Sequence, residues 1–218
     1  MPSGLGLDHN AIITLRPPSA LNDNEWLPPT LNWLDGRWHI THSTLPHRTT
    51  QRNTRIELTI SAAANGKQSF HIESSHQALE ASKPKTESVS SPSQTPLDFS
   101  ASKGTASRFG SWQILAWGKE GQLDDWMIED GDGWISDSSG ERRADWRNSY
   151  VVVHVEGDGE DEKEKGDGPG IEVWSRRGWW KPLYPETVGK IKDALKGAGL
   201  EYLAEKLVGV ALDDTRGY

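Results

Sequence analysis

His42 is the residue of this chain best suited by type and position to acid–base chemistry. It stands near the end of the alternating run Gly36-Arg37-Trp38-His39-Ile40-Thr41-His42-Ser43. Successive side chains of an extended strand point to opposite faces. Trp38, Ile40 and His42 are therefore expected on one face, and Arg37, His39, Thr41 and Ser43 on the other. A face of Trp, Ile and His suits a cavity lining, where a neutral imidazole would serve as general acid or base or hydrogen-bond a carbonyl. The same residue is equally readable as a structural histidine bonded to a neighbouring strand. Opposite faces also separate His39 from His42, which argues against a zinc pair even with His47 nearby.

Other polar candidates lie in later strands. In Ser111-Trp112-Gln113-Ile114-Leu115-Ala116-Trp117-Gly118 both faces carry a tryptophan, so alternation leaves open whether Gln113 points inward. Trp112, Gln113, Trp117, Trp126 and Tyr150 join Trp38 and Ile40 as candidate ligand contacts. Glu129 would be a base if buried and a rim carboxylate if not. Arg142-Arg143 and Arg176-Arg177 would receive a carboxylate at a cavity mouth or simply stay solvated. The run Glu129–Ile135 is no calcium loop: with Gly133 at the sixth position, the first carboxylate and the bidentate glutamate are both missing. There is no Gly-x-Ser-x-Gly, phosphate loop or Gly-x-Gly-x-x-Gly. With no cysteine, thiol chemistry, disulfides and Cys-ligated metals are excluded. No metal and no cofactor is expected.

The elements that must position these groups are mostly short strands. Thr54–Ile60 alternates with Ile56, Leu58 and Ile60 on one face. Asn65-Gly66 is a hairpin turn, and a strand follows at Gln68–Glu73. Further strands are expected at Asp125–Glu129, Trp134–Ser136, Ser149–Val155 and Gly170–Arg176. Residues 1–30, with Pro17-Pro18 and Pro28-Pro29, read as an extended arm in which Ile12–Leu15 forms a short strand. Residues 74–107 are rich in Ser, Thr, Pro and Lys and read as a flexible insertion. Pro185 opens a helical stretch to about residue 208. Its apolar stripe runs through Val188, Ile191 and Leu195, is interrupted at Gly197 and Gly199, and resumes at Leu200, Leu203 and Leu207. About eight strands followed by one broken helix give a mainly β, antiparallel up-and-down barrel with a C-terminal helix.

Composition narrows the partners. The net charge of −8 disfavours a nucleic-acid binder. No stretch approaches the roughly 20 apolar residues that span a bilayer, and Met1–Asp8 lacks the pattern of a signal peptide. A cytoplasmic protein without membrane insertion is expected. Eleven tryptophans against three phenylalanines fit either core packing or an aromatic pocket for a flat apolar molecule.

Leu34–Pro46 resembles the opening strand of the lipocalin-like (calycin) proteins of fungi and bacteria, and Arg52-Asn53 fits that group. Ser111–Gly118 and Gly170–Arg176 resemble two later strands of the same family, the second preceding a helix as here. His47-Arg48 departs from the pattern. The resemblance implies a barrel holding one small hydrophobic molecule, with residues 31–218 as a single domain. It further implies a role in secondary metabolism: a cofactor-independent cyclase or isomerase of a polyketide- or terpenoid-like substrate, or a non-catalytic carrier; in the enzyme reading the residues themselves point to His42 as the catalytic group. Oligomeric state is not legible.

Overall fold

The alternating segments form strands in the computed structural model, which describes residues 13, 15, 29, 31–62, 68–81, 83–91, 112–120, 134–136, 142–144, 148–155, 169–177 and 181–213. A one-turn helix, α1 (Leu31–Leu34), leads into β1 (Gly36–Ser43). A 3-10 turn at Pro46–Thr50 connects β1 to β2 (Gln51–Ala62). There follow β3 (Gln68–Ala78), β4 (Lys85–Ser91), β5 (Trp112–Lys119), β6 (Trp134–Ser136), β7 (Arg142–Ala144), β8 (Ser149–Val155) and β9 (Gly170–Ser175). The chain continues through α2 (Pro185–Gly197), α3 (Glu201–Lys206) and β10 (Val208–Gly209).

Eight strands make one antiparallel sheet in the order β4-β3-β2-β1-β9-β8-β5, with β10 added to β1; β6 and β7 form a separate hairpin. β1 to β4 lie side by side in sequence order and β8 lies beside β9, while β9 returns beside β1 and β5 pairs with β8, so the antiparallel sheet is up-and-down with β4 and β5 at its two ends.

The sheet buries both faces. One face gathers Trp38 and Ile40 of β1, Ile56 and Leu58 of β2, Ile72 of β3, Ile114 of β5, Val151 and Val153 of β8 and Trp174 of β9 into an inner cluster. The other gathers Leu115, Ala116, Tyr150, Val152, Ile171 and Val173 against Ile191, Leu195, Leu203 and Leu207 of the helical region. Among the described residues the cluster's members from outside the main strands are Trp33 and Leu34 of α1 and Val210, so the inner side chains largely bury one another, as they do when a sheet curls into a barrel wall. Trp33 of α1 shows the curl. Its ring lies 5.1 Å from Trp38 on β1 and 5.1 Å from Trp117 on β5, strands that are three positions apart, or about 14 Å on a flat sheet.

Three expectations need correction. The stretch 74–107 is not wholly an insertion: β3 continues to Ala78 and β4 pairs with it from His76↔Lys85 to Phe70↔Ser91. Ser, Thr, Glu and Lys hid the strand period there, yet Ser74, Ser75 and Gln77 are buried; residues 92–107 lie outside the described residues. Residues 13 and 15 are not in a strand. Leu15 instead buries in the helix-side cluster. The helical stretch stops at Lys206, and Val208–Gly209 turns back as β10. The break at Gly199 has a positive φ of 76°, a conformation glycine adopts without strain. The strand expected at 125–129 lies outside the described residues.

One close approach fixes how β1 leaves the sheet. Thr44 and Ile171 exchange hydrogen bonds, backbone to backbone at 2.9 Å and amide to hydroxyl at 2.8 Å. A Cβ at Gly170 would meet Leu45 and come within 2.7 Å of the Thr44 hydroxyl. Gly170→Ala should therefore lower stability by about 1–3 kcal/mol through overpacking, read from the urea midpoint.

Candidate functional site

Two bulges decide which side chains reach the interior. In the β1–β9 ladder Ile40 pairs with Trp174, and His42, not Thr41, pairs with Val173. Thr41 is the extra residue, and its hydroxyl donates to the Val173 carbonyl at 3.2 Å. Cross-strand partners share a face, so Ile40 stays with Trp174 in the inner cluster. His42 moves to the Val173 side, against the helices. The expectation that His42 shares a face with Trp38 and Ile40 is thereby overturned, because a bulge reverses the alternation behind it. His39 pairs with Ser175 on that same outer side, so the argument that kept the two histidines on opposite faces also falls. Among the described residues no group of three or more His, Cys, Asp or Glu could hold a metal ion.

The surroundings of His42 agree with this placement. Burial, with the charge of Lys192 on α2 adding to it, lowers the imidazole to about 4. Its Nδ1 lies 3.2 Å from the Thr41 hydroxyl. The folded-state value is below that of the unfolded chain, near 6.5. The stability that goes with neutral His42 is thus fully present above about pH 6.5 and is lost as pH falls toward 4. We expect its ring signals to titrate near pH 4 by NMR, and His42→Gln to flatten the stability decline between those limits.

A second bulge, at Leu115, does the same in β5. Ile114 pairs with Val153 and Ala116 with Val152. Ile114 thus lies inside, while Leu115 and Ala116 both join the helix-side cluster. Beyond the bulge Trp117 pairs with Val151, an inner-face residue, and ends half-exposed against Trp33. Gln113 pairs with His154, and Tyr150 packs in the helix-side cluster beside Gly118. Both were candidate ligand contacts, and both face away from the interior. Burial, then the neighbouring Glu120 charge, pushes the Tyr150 phenol to about 12. Trp112 lies in β5 opposite Val155; Trp126 is outside the described residues.

The interior has two distinct ends. At one, the indole N–H of Trp38 donates to the Leu34 carbonyl at 2.8 Å. The Arg176 guanidinium lies 4.0 Å from the ring centroid of Trp38 and 5.9 Å from that of Trp33. Arg176 also donates to the Asp35 carbonyl. Burial lowers it to about 10, so at neutral pH it is still a cation over an aromatic face, an attractive arrangement. This end is sealed.

At the other end the 3-10 turn carries Arg48 inward. Arg48 Nε donates to Glu172 Oε1 at 2.7 Å, Trp174 Nε1 donates to Glu172 Oε2 at 2.8 Å, and Arg48 Nη1 donates to Gln51 Oε1 at 3.0 Å. Arg48 and Glu172 are a buried ion pair, their side chains 10% and 3% exposed. Sequence reasoning missed both. Glu172 alternates with Ile171 and Val173 in a strand that is apolar on both sides, and Arg48 lies in a turn with no periodicity.

No protein-family model and no curated protein sequence matches this chain. Among solved structures it is similar to the major allergen Per a 4 from cockroaches, at 11% identity and a TM-score of 0.44, covering 88% of this chain and 97% of that one. It is also similar to a biogenic amine-binding protein, at 16% identity and a TM-score of 0.41, covering 84% and 82%. Among the described residues no helix is long and apolar enough to cross a membrane.

Proposed function

We propose that this chain is a lipocalin-like protein of the fungal and bacterial type that carries one small hydrophobic molecule in the interior of its sheet. The observation that supports this is the sorting of side chains by the two bulges. Trp38, Ile40, Ile114, Val151, Val153 and Trp174 go in, and His42, Gln113 and Tyr150 go out. What is polar inside is the Arg48–Glu172 pair at one end, with Ser43 opposite Glu172 and Ser74 opposite Ile56, so apolar surface does most of the binding. The alternative, a cofactor-free cyclase or isomerase, needs an acid–base group against the substrate. The geometry draws the two best candidates, His42 and Tyr150, away from the interior, which favours carriage over conversion.

The test uses N-phenyl-1-naphthylamine, which fluoresces on entering apolar sites. Saturable one-to-one binding with energy transfer from tryptophan is expected. Val153→Phe, which fills the interior, should abolish it. Val152→Phe, the same enlargement one residue earlier but on the helix side, should leave it. Equal loss in both variants would rule out an interior site. Turnover of a candidate substrate by the wild-type protein would restore the enzyme reading.

A further inference from the structure

We infer that the segment 208–213 is a movable stave in the wall, and that the seam it fills is the route by which a ligand enters. The inference rests on the reading of the interior as a ligand site.

The seam is visible in the ladders. β1 and β2 pair only from Gly36↔Leu58 to His39↔Arg55. Beyond that point the two strands part. The bulge at Thr41 bends β1, and β2 has its own irregularity between Arg52 and Arg55, where Asn53 takes a positive φ of 51°. The chain after α3 fills the gap. β10 pairs with β1 at His42↔Gly209 and Ser43↔Val208, and Ala211 bridges to Arg52 in parallel. The Val210 amide donates to the Thr41 carbonyl at 2.9 Å, and the Asn53 amide donates to the Ala211 carbonyl at 2.8 Å. Val210 reaches through to the inner cluster. Among the described residues Val210 is the one side chain of this segment that joins the inner cluster.

The segment is held by a latch rather than by a long ladder. Asp213 Oδ2 accepts from Arg52 Nη1 at 2.6 Å, and Asp213 Oδ1 accepts from Asn53 Nδ2 at 2.8 Å. The Asp213 amide donates to Asn53 Oδ1 at 2.8 Å, and Asn53 Nδ2 also donates to Gln77 Oε1 at 2.7 Å. Val208 is exposed, and a Cβ at Gly209 would meet nothing within 4 Å. Few apolar contacts and half-exposed bonds mark a segment that opens locally. No other strand of the described sheet can leave without breaking a ladder longer than β10's two pairs.

Exchange kinetics of N-phenyl-1-naphthylamine test this. Asp213→Ala removes the latch's charge-assisted bonds, so association and dissociation should both speed up by about tenfold or more, with little change in Kd. The chain has no cysteine, so Ser43→Cys/Val208→Cys pins the stave by one disulfide between register partners. Oxidation should slow both rates by about tenfold, and reduction should restore them. In hydrogen exchange the Val210 and Asn53 amides should open well before those of the β8–β9 ladder. Binding with rates unmoved by either variant would overturn the entry route while leaving the ligand site intact. Absence of binding in the wild-type protein would overturn the ligand site and the route together.

Discussion

Arg48→Met should destabilise the protein by about 3–5 kcal/mol, because it leaves the Glu172 carboxylate buried without its cation. The pair is nearly sealed from water, at 10% and 3% side-chain exposure, so solvent cannot take over the lost partner. Methionine roughly matches the aliphatic length of arginine, which keeps the cavity term small. The charge is therefore what the measurement isolates. Arg48→Met/Glu172→Gln should recover most of the loss. A neutral amide no longer needs a cation, and its oxygen still accepts from the Trp174 indole, now at 2.8 Å from Glu172 Oε2. Urea unfolding of the two variants decides the matter. Equal stabilities would mean that the charge is already relieved by water and that the cost lies in packing.

Trp38→Ala should cost a similar amount, about 3–5 kcal/mol, by a different route. Trp38 is fully buried and serves three neighbours at once: the Leu34 carbonyl, the Trp33 ring and the Arg176 guanidinium. Its loss opens a cavity beneath the half-buried Arg176 cation. Trp38→Phe keeps an aromatic face for Arg176 but loses the indole N–H, so it should fall between, with a loss of about 1–3 kcal/mol. The near-ultraviolet circular dichroism of the Trp33–Trp38–Trp117 cluster should collapse in the alanine variant and persist in the phenylalanine one.

The strands were legible where one face was apolar and the other polar. Ile56 and Leu58 announced β2 by alternating with Arg55, Glu57 and Thr59. The break in the last helical stretch was legible from Gly197 and Gly199. The bulges were not. Thr41 and Leu115 sit in runs whose two faces are both buried, so shifting the alternation by one residue leaves the apolar pattern looking the same. The face assigned to His42 depended on that shift. β4 was hidden for the opposite reason: its residues are almost all polar, and Val89, opposite Ile72, is its sole large apolar side chain. Arg48 and Glu172 find one another across 124 positions of sequence, a proximity that only the β1–β9 ladder creates.

The two clusters on either side of the sheet also divide the molecule by how freely its sequence can change. All six residues of β9 and the first five of β8 are buried, each side chain bounded by neighbours of fixed volume. Substitution there must preserve size and polarity at every consecutive position. In β4, Lys85 and Thr86 are exposed, and among the described residues none of β2 to β4 belongs to the helix-side cluster. Drift will therefore accumulate at the exposed positions of β2 to β4, such as Thr59, Ala78 and Lys85, while β8, β9 and the helices behave as a chassis.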